Sequence, residues 1–360
     1  MYYEENVILP TTKITETEDT TLLSNGTSYV KTILVCGAGG FIGSHLVTAL
    51  KKQGHTVVGV DLKTPLYNES TADRFWVGDL RDARFVNNLF DIGSGHYNTQ
   101  FDEVYQLAAD MGGAGYIFIG DNDADIMHNS ATINLNVLES CRTHDVKKIF
   151  YSSSACMYPE HNQLDPDNPD LAEHTAYPAN PDSDYGWEKL FSERLYAAYG
   201  RCYNIEIRVA RFHNIFGPEG SWNNGKEKSP AALMRKIALA NDGDAIEVWG
   251  PGIQTRSFLY IDECVEGIQR IMDSDVREPL NLGSTRKISM NDLVYLIAKL
   301  VGKDVTIENI DGPRGVMGRT SDNKLIKELI DWAPDEDLES GIIKTYQWIS
   351  EQIASGQEDV

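Results

Sequence analysis

From Lys31 onward, apolar and polar positions alternate in a regular rhythm. Thr32-Ile-Leu-Val-Cys36 is a short apolar run, residues 44–52 follow with amphipathic helical spacing, and Thr56-Val-Val-Gly-Val60 is a second run closed by Asp61. Short apolar runs bounded by turn residues predict buried strands, and the longer segment between them predicts a helix. The alternation continues with strands predicted at 74–77, 103–107, 148–152 and 205–211, and helices at 85–90, about 123–143 and about 185–199. Strands alternating with helices imply an α/β chain with a parallel, doubly wound sheet.

After residue 212 the rhythm loosens. Loops rich in Gly, Pro and Asn at 217–230 precede a predicted helix at 231–240, and further short elements include 288–301 and 325–329. The expected organisation is a sheet domain over 31–212 and a smaller C-terminal α/β substrate lobe over 213–355, interleaved with it. Residues 1–30 are polar, rich in Thr and Glu, and read as an arm outside the core.

Composition narrows the function. Of 360 residues, 41% are hydrophobic and 24% charged, which argues against wholesale disorder, and no run of eighteen apolar residues suggests a spanning helix. The net charge of −22 argues against nucleic acid and anionic lipid as partners. Five scattered cysteines without a C-x-x-C pair, and no histidine at zinc spacing, predict a reduced cytoplasmic chain without disulfides or metal. The first residues, Met1-Tyr-Tyr-Glu-Glu-Asn, lack the basic head and apolar stretch of a secretory signal.

The first strand runs into Gly37-Ala-Gly-Gly40-Phe-Ile-Gly43, a G-x-x-G-x-x-G turn that opens a helix. Glycines there permit a tight turn and close approach of backbone to a pyrophosphate, which the helix N-terminus stabilises. This is the Rossmann arrangement, with Gly37, Gly40, Phe41, Ile42 and Gly43 as cofactor contacts. Asp61, closing the second strand, suits the adenosine ribose hydroxyls and would repel a 2′-phosphate, so NAD is expected over NADP. Asp79 and Leu80, in Gly78-Asp-Leu-Arg81, are placed for the adenine edge.

Tyr185-Gly-Trp-Glu-Lys189 puts a phenol and an amine four residues apart on one helix face. A lysine beside a phenol favours the phenolate, a base able to take an alcohol proton as hydride leaves. Ser152-Ser-Ser-Ala-Cys156 ends the preceding strand, where Ser154 could hold the same oxygen. In an extended chain Cys156 lies on the same side as Ser154 and so beside a neighbouring carbon. Lys226, Lys228, Arg235 and Lys236 stand against Glu227 alone, a local balance of +3 in a strongly acidic chain, and suggest a diphosphate clamp with one lysine turned to the sugar.

Serine, tyrosine and lysine after a dinucleotide turn resemble the extended short-chain dehydrogenase/reductase superfamily. Longer strings resemble the GDP-mannose 3,5-epimerases: Leu107-Ala-Ala-Asp-Met-Gly-Gly113, Ser153-Ser-Ala-Cys156, Arg211-Phe-His-Asn214, Gly225-Lys-Glu-Lys228-Ser-Pro230, Gln254-Thr-Arg-Ser-Phe258, Ile261-Asp-Glu-Cys-Val-Glu-Gly267 and Gly318-Arg-Thr-Ser-Asp-Asn323. The resemblance implies an isomerase with tightly bound, recycled NAD that converts GDP-mannose to GDP-L-galactose, GDP-L-gulose or both. Oxidation at C4 would be followed by inversion at C5 or C3 and re-reduction. It makes Ser154, Tyr185 and Lys189 the redox triad and Cys156 and Lys228 the acid/base pair. Gly112, Ser154, Asn214, Glu227, Lys228, Lys236, Gln254, Arg256 and Arg319 become substrate contacts, with Arg256 and Arg319 suited to the diphosphate. It also implies a homodimer packed through the helices at 123–143 and 185–199.

Rival readings are a GDP-fucose-synthase-like epimerase/reductase, which would use NADPH and a histidine, an epimerase of a GDP-heptose, and an inactive NAD-sensing scaffold. A 4,6-dehydratase would want acidic residues where Ala155 and Cys156 stand.

Overall fold

A computed structural model describes residues 29–92, 100–313 and 315–356. The chain divides into two units, 1–30 and 31–360, and every element below belongs to the second. The expected N-terminal arm lies outside the described residues except for Tyr29 and Val30.

The first half alternates as the sequence pattern implies: β1 (Thr32–Cys36), α1 (Phe41–Lys52), β2 (Thr56–Asp61), β3 (Arg74–Val77), α2 (Ala83–Ile92), β4 (Glu103–Gln106), a short α3 (Ala114–Ile117), α4 (Asp123–Thr143), β5 (Lys148–Ser154), α5 (Asp184–Tyr203) and β6 (Glu206–Phe212). The second half contributes β7 (Ile215–Phe216), α6 (Ser229–Leu239), β8 (Ala245–Trp249), β9 (Thr255–Ser257), β10 (Leu259–Tyr260), α7 (Ile261–Asp273), β11 (Leu280–Leu282), β12 (Lys287–Ser289), α8 (Met290–Val301), β13 (Thr306–Ile310), β14 (Gly318–Arg319), α9 (Lys324–Ile330) and α10 (Leu338–Ser355).

Seven strands form one sheet in the order β3-β2-β1-β4-β5-β6-β11, with every pairing parallel. The strand order reverses between β1 and β4, and ligands of such sheets bind in the crevice beyond the strand ends at that point. Side-chain alternation along β1 sorts residues to opposite faces: Ile33 and Val35 join one apolar core, Leu34 and Cys36 the other. Leu46, Val47 and Leu50 of α1 cover the first face, and Val86, Leu89, Val137, Leu138 and Tyr196 of α2, α4 and α5 cover the second. Burial on both faces is why these strands are continuously apolar.

Smaller sheets form in the second half of the chain. There β9 pairs antiparallel with β12 and parallel with β14, and β8 pairs parallel with β13. The segment expected as one element at 288–301 divides at Ser289, whose hydroxyl accepts the Asp292 N–H at 3.1 Å and caps α8. Among the described residues no helix is long and apolar enough to cross a membrane, and no cluster of His, Cys, Asp or Glu is placed to hold a metal.

Candidate active site

The glycine turn after β1 is shaped by backbone contact. Gly37 has φ +83°, and a Cβ there would stand 2.9 Å from the Ala108 nitrogen. A Cβ on Gly43 would fall 2.0 Å from the Gly37 oxygen, so α1 starts directly against the turn. No side chain caps α1 at Gly40, which leaves the first-turn N–H groups at Phe41, Ile42 and Gly43 for an anion. The Asp61 carboxylate accepts the N–H groups of Gly39 (3.0 Å) and Leu62 (2.7 Å), and burial raises it above the ordinary carboxylate range. The Gly78 N–H donates to the Asp61 carbonyl, which brings Asp79 and the buried Leu80 to the same edge. Asp79 is gripped by Arg81 at 2.7 Å and held below the usual range by it. A side-chain-free cradle, an uncapped helix start and a carboxylate at the second strand end fit a dinucleotide.

On α5, Tyr185 and Lys189 are both buried. The Lys189 amine donates to the Ser152 carbonyl at 3.0 Å and lies over the Tyr185 ring, 5.6 Å from its centroid. The Tyr185 phenol is not depressed, contrary to the expectation from Lys189 four residues on. Burial dominates and pushes Tyr185 well up, and the adjacent Cys156 adds to this. A hydrogen bond with Ser154 and the Arg319 cation act the other way and favour the phenolate. Burial likewise lowers the Lys189 ammonium, against the neighbouring Glu188.

The chain is not extended at Cys156, contrary to the alternation argument. β5 ends at Ser154, and Ala155–Met157 form a 3₁₀ turn because the Ser154 hydroxyl accepts the Cys156 N–H at 3.2 Å and caps it. Cys156 still packs with Tyr185, Ile117 and Ile126. Gly186 makes that contact possible: a Cβ there would lie 2.2 Å from the Cys156 carbonyl oxygen. Arg319 donates to the Cys156 sulfur at 2.9 Å, to Gln163 Oε1 at 2.6 Å and to Asp182 Oδ2 at 3.0 Å. Its guanidinium, expected at the diphosphate, is committed to the thiol and its neighbours.

Lys228 precedes α6 on a loop tied to the segment after β4. The Gly113 N–H donates to the Lys226 carbonyl at 2.9 Å, and a Cβ on Gly113 would stand 2.2 Å from the Glu227 oxygen. The basic cluster expected to act as a clamp resolves into local pairs. Lys226 is 3.9 Å from Asp110 and 4.0 Å from the Tyr116 ring centroid, Arg235 is 3.4 Å from Glu227, and Lys236 is 3.4 Å from Glu247. Acidic side chains thus pair three of the four cations, Lys226, Arg235 and Lys236. Glu227 also accepts the Gly225 N–H at 2.6 Å. Among the described residues, Lys228 Nζ has no hydrogen bond or ion pair, and burial lowers its ammonium while Cys156 opposes the shift.

Gly112 is buried and packs on Tyr116. Asn214 takes φ +45° and its amide donates to the Ser257 carbonyl at 2.9 Å. The Gln254 amide donates to the Trp249 carbonyl at 2.6 Å, leaving a buried Oε1 with no partner among the described residues. Arg256 is the register partner of Arg319 and donates to the Thr255 and Val316 carbonyls at 2.8 and 2.7 Å. Burial, then Arg319, lower it to about 9.

Tyr185, Lys189, Lys228, Arg256 and Arg319 therefore all fall within electrostatic reach of Cys156, and Ser154 hydrogen-bonds Tyr185. Lys236 is directed instead to β8, where it donates to the Glu247 carbonyl at 2.9 Å. Sequence reasoning missed Asp182, Gln163, Gly113 and Gly186. The two glycines sat inside quoted strings and carried a packing signal, whereas nothing local marked Asp182 or Gln163.

Residues 33–283 match the NAD dependent epimerase/dehydratase family. Over 323 residues the chain is 46% identical to a GDP-mannose 3,5-epimerase of Arabidopsis thaliana, spanning 89% of this chain and 82% of that protein. Identity and coverage are the same for GDP-mannose 3,5-epimerase 1 of Oryza sativa subsp. japonica. Among solved structures, a UDP-glucuronic acid 4-epimerase of Bacillus cereus in complex with UDP-glucuronic acid and NAD aligns with TM-score 0.74 and 25% identity, over 89% of this chain and 99% of that one.

Proposed function

The chain belongs to the NAD dependent epimerase/dehydratase family, and from that premise we propose that it is a GDP-sugar 3,5-epimerase acting on GDP-mannose. The observation that carries this reading is a thiol, Cys156, packed beside Tyr185 and within electrostatic reach of a desolvated amine, Lys228, that has no partner among the described residues. A simple 4-epimerase needs neither.

The glycine turn with Phe41 and Ile42, Asp61 at the ribose, and Asp79 with Leu80 at the adenine edge would hold NAD. When bound it supplies reversible hydride removal at C4. Tyr185 takes the C4 hydroxyl proton while Ser154 holds the same oxygen. The resulting ketone acidifies the hydrogens at C3 and C5. Inversion requires a base on one face and an acid on the other, so Cys156 and Lys228 share the work, with burial lowering the Lys228 ammonium so that it gives up its proton more readily. Ser154 and Tyr185 hydrogen-bond the enolate oxygen, and return of the tyrosine proton closes a redox-neutral cycle. Gly112, Asn214, Glu227, Lys236, Gln254 and Arg256 are assigned to the substrate, Arg256 at the diphosphate and the buried, unpartnered Gln254 oxygen to a donor on the nucleotide sugar. In this reading residues 31–212 carry the cofactor and 213–355 the sugar nucleotide.

Incubation with GDP-mannose in deuterated water tests the reading by NMR. Deuterium is expected at C5, C3 or both without added reductant, and Cys156→Ala should abolish it while retaining NAD. Net reduction that consumes NADPH would overturn the assignment in favour of an epimerase/reductase.

A cytoplasmic homodimer completes the proposal. The five cysteines are free, as a reducing compartment requires. Met127 and Leu135 of α4 and Trp187 and Phe191 of α5 are exposed apolar side chains on two helices that pack together. Light scattering should give twice the chain mass, and Phe191→Glu should give monomers. A monomeric wild type would refute the dimer.

A further inference from the structure

Arg319 is a buried cation whose three nitrogens are each spoken for, and the sulfur is only one of its partners. Nε donates to Gln163 Oε1 at 2.6 Å, Nη2 to Asp182 Oδ2 at 3.0 Å and Nη1 to Cys156 Sγ at 2.9 Å. A guanidinium is a rigid planar fork, so fixing two nitrogens fixes the direction of the third. Both anchors are themselves held. The buried Gln163 donates its amide to the carbonyls of Tyr158 and Pro159 at 3.1 and 3.2 Å, immediately after the turn that carries Cys156. Asp182 has only 4% of its side chain exposed, accepts the Ser183 hydroxyl, and sits just before the cap of α5, the helix that carries Tyr185. Arg319 itself is fixed on β14, where a Cβ on Gly318 would meet the Asp165 carbonyl oxygen at 2.5 Å. Three segments far apart in sequence thus meet at one guanidinium.

We propose that Asp182 is a positioning residue for the Cys156 sulfur: with Gln163 it holds Arg319 so that Nη1 donates to Sγ and fixes the sulfur beside the Tyr185 phenol. This deepens the epimerase reading and rests on its assignment of Cys156 to the acid/base pair. The local charge distribution makes the carboxylate necessary. Cys156 is faced by Arg319, Lys228, Lys189 and Arg256 and by the Tyr185 phenol; Glu188 and Glu193 act on Lys189, and Asp182 is the carboxylate paired with Arg319. Arg256 and Arg319 are direct register partners on neighbouring strands and repel each other. Without the Asp182 charge, the two guanidinium groups would separate and Arg319 would leave the sulfur.

The test reads the thiol directly, independently of sugar turnover. Iodoacetamide labelling of the NAD-loaded enzyme is followed at the half-buried Cys156 by peptide mass spectrometry, because Cys202 is exposed and labels as well. Asp182→Asn should slow Cys156 labelling about tenfold at neutral pH, the loss expected for one charge-assisted hydrogen bond. Asp182→Glu, which restores the charge, should recover most of the rate. In turnover with GDP-mannose, Asp182→Asn should lower kcat and leave KM within about threefold. If Asp182→Asn fails to fold, Arg319→Lys gives the same reading, since one ammonium cannot serve three fixed partners. An unchanged labelling rate in a folded variant overturns the proposal, as does a rise in KM alone, which would assign Arg319 to the diphosphate. Altered labelling in an enzyme that shows no exchange on GDP-mannose would uphold the positioning role and sink the epimerase reading.

Discussion

Replacing Gly113 by alanine probes how the amine of Lys228 is held in place. Gly113 has φ −75°, which alanine adopts without strain, so the effect is steric. The new Cβ would stand 2.2 Å from the Glu227 carbonyl oxygen and 3.0 Å from its carbon. A tolerable contact needs about 3.2 Å, so the Lys226–Glu227 backbone must retreat by roughly 1 Å. That motion also stretches the 2.9 Å bond from the Gly113 N–H to the Lys226 carbonyl, worth about 1 kcal/mol. Lys228 follows one residue later, and a misplacement of roughly 1 Å at a reacting group costs about 10²-fold in rate. The loop lies at the surface, so thermal stability should fall by no more than the ~1–3 kcal/mol typical of overpacking. The assay is deuterium incorporation into GDP-mannose at C3 and C5 by NMR, with NAD content and the melting temperature as controls. Exchange within threefold of wild type, in a folded protein with full NAD, would show that Gly113 does not position Lys228.

Other outcomes are open to direct measurement. Gly186→Ala should lose about 10²-fold in kcat with NAD retained, because a Cβ 2.2 Å from the Cys156 oxygen separates the thiol from Tyr185; a wild-type kcat would contradict this. Asp61→Asn should copurify with less than about a tenth of the wild-type NAD, assayed by absorbance after denaturation, since the ribose acceptor is lost. His213 is buried, its Nε2–H donates to Asn281 Oδ1 at 3.0 Å, and burial lowers it to about 3. Its folded value lies below the unfolded value of about 6.5, so the unfolded chain binds the extra proton. The contribution to stability is therefore complete above about pH 6.5 and lost as pH falls toward 3, at about 1.4 kcal/mol per pH unit. Urea midpoints of wild type and His213→Gln should converge across that window; parallel curves would refute the assignment.

Local pattern was sufficient for much of this protein. The alternation of apolar runs with amphipathic segments determined the strands, the helices and the parallel sheet, because burial on both faces demands continuously apolar strands. The glycine turn and Asp61 were legible because the turn, the helix start and the second strand end are neighbours in sequence. Tertiary structure decided what periodicity does not encode: which buried group meets which. Arg319 reaches Cys156 across 163 residues and Asp182 across 137, so no window of sequence contained either contact. The Ser154 cap turned an alternating strand into a 3₁₀ turn at Cys156, and acids from other elements paired the cations around Lys228. Desolvation raised Tyr185 against the lysine expected to lower it. A sequence specifies the face a side chain presents, but its protonation and its partners depend on the dielectric and charges that folding assembles around it.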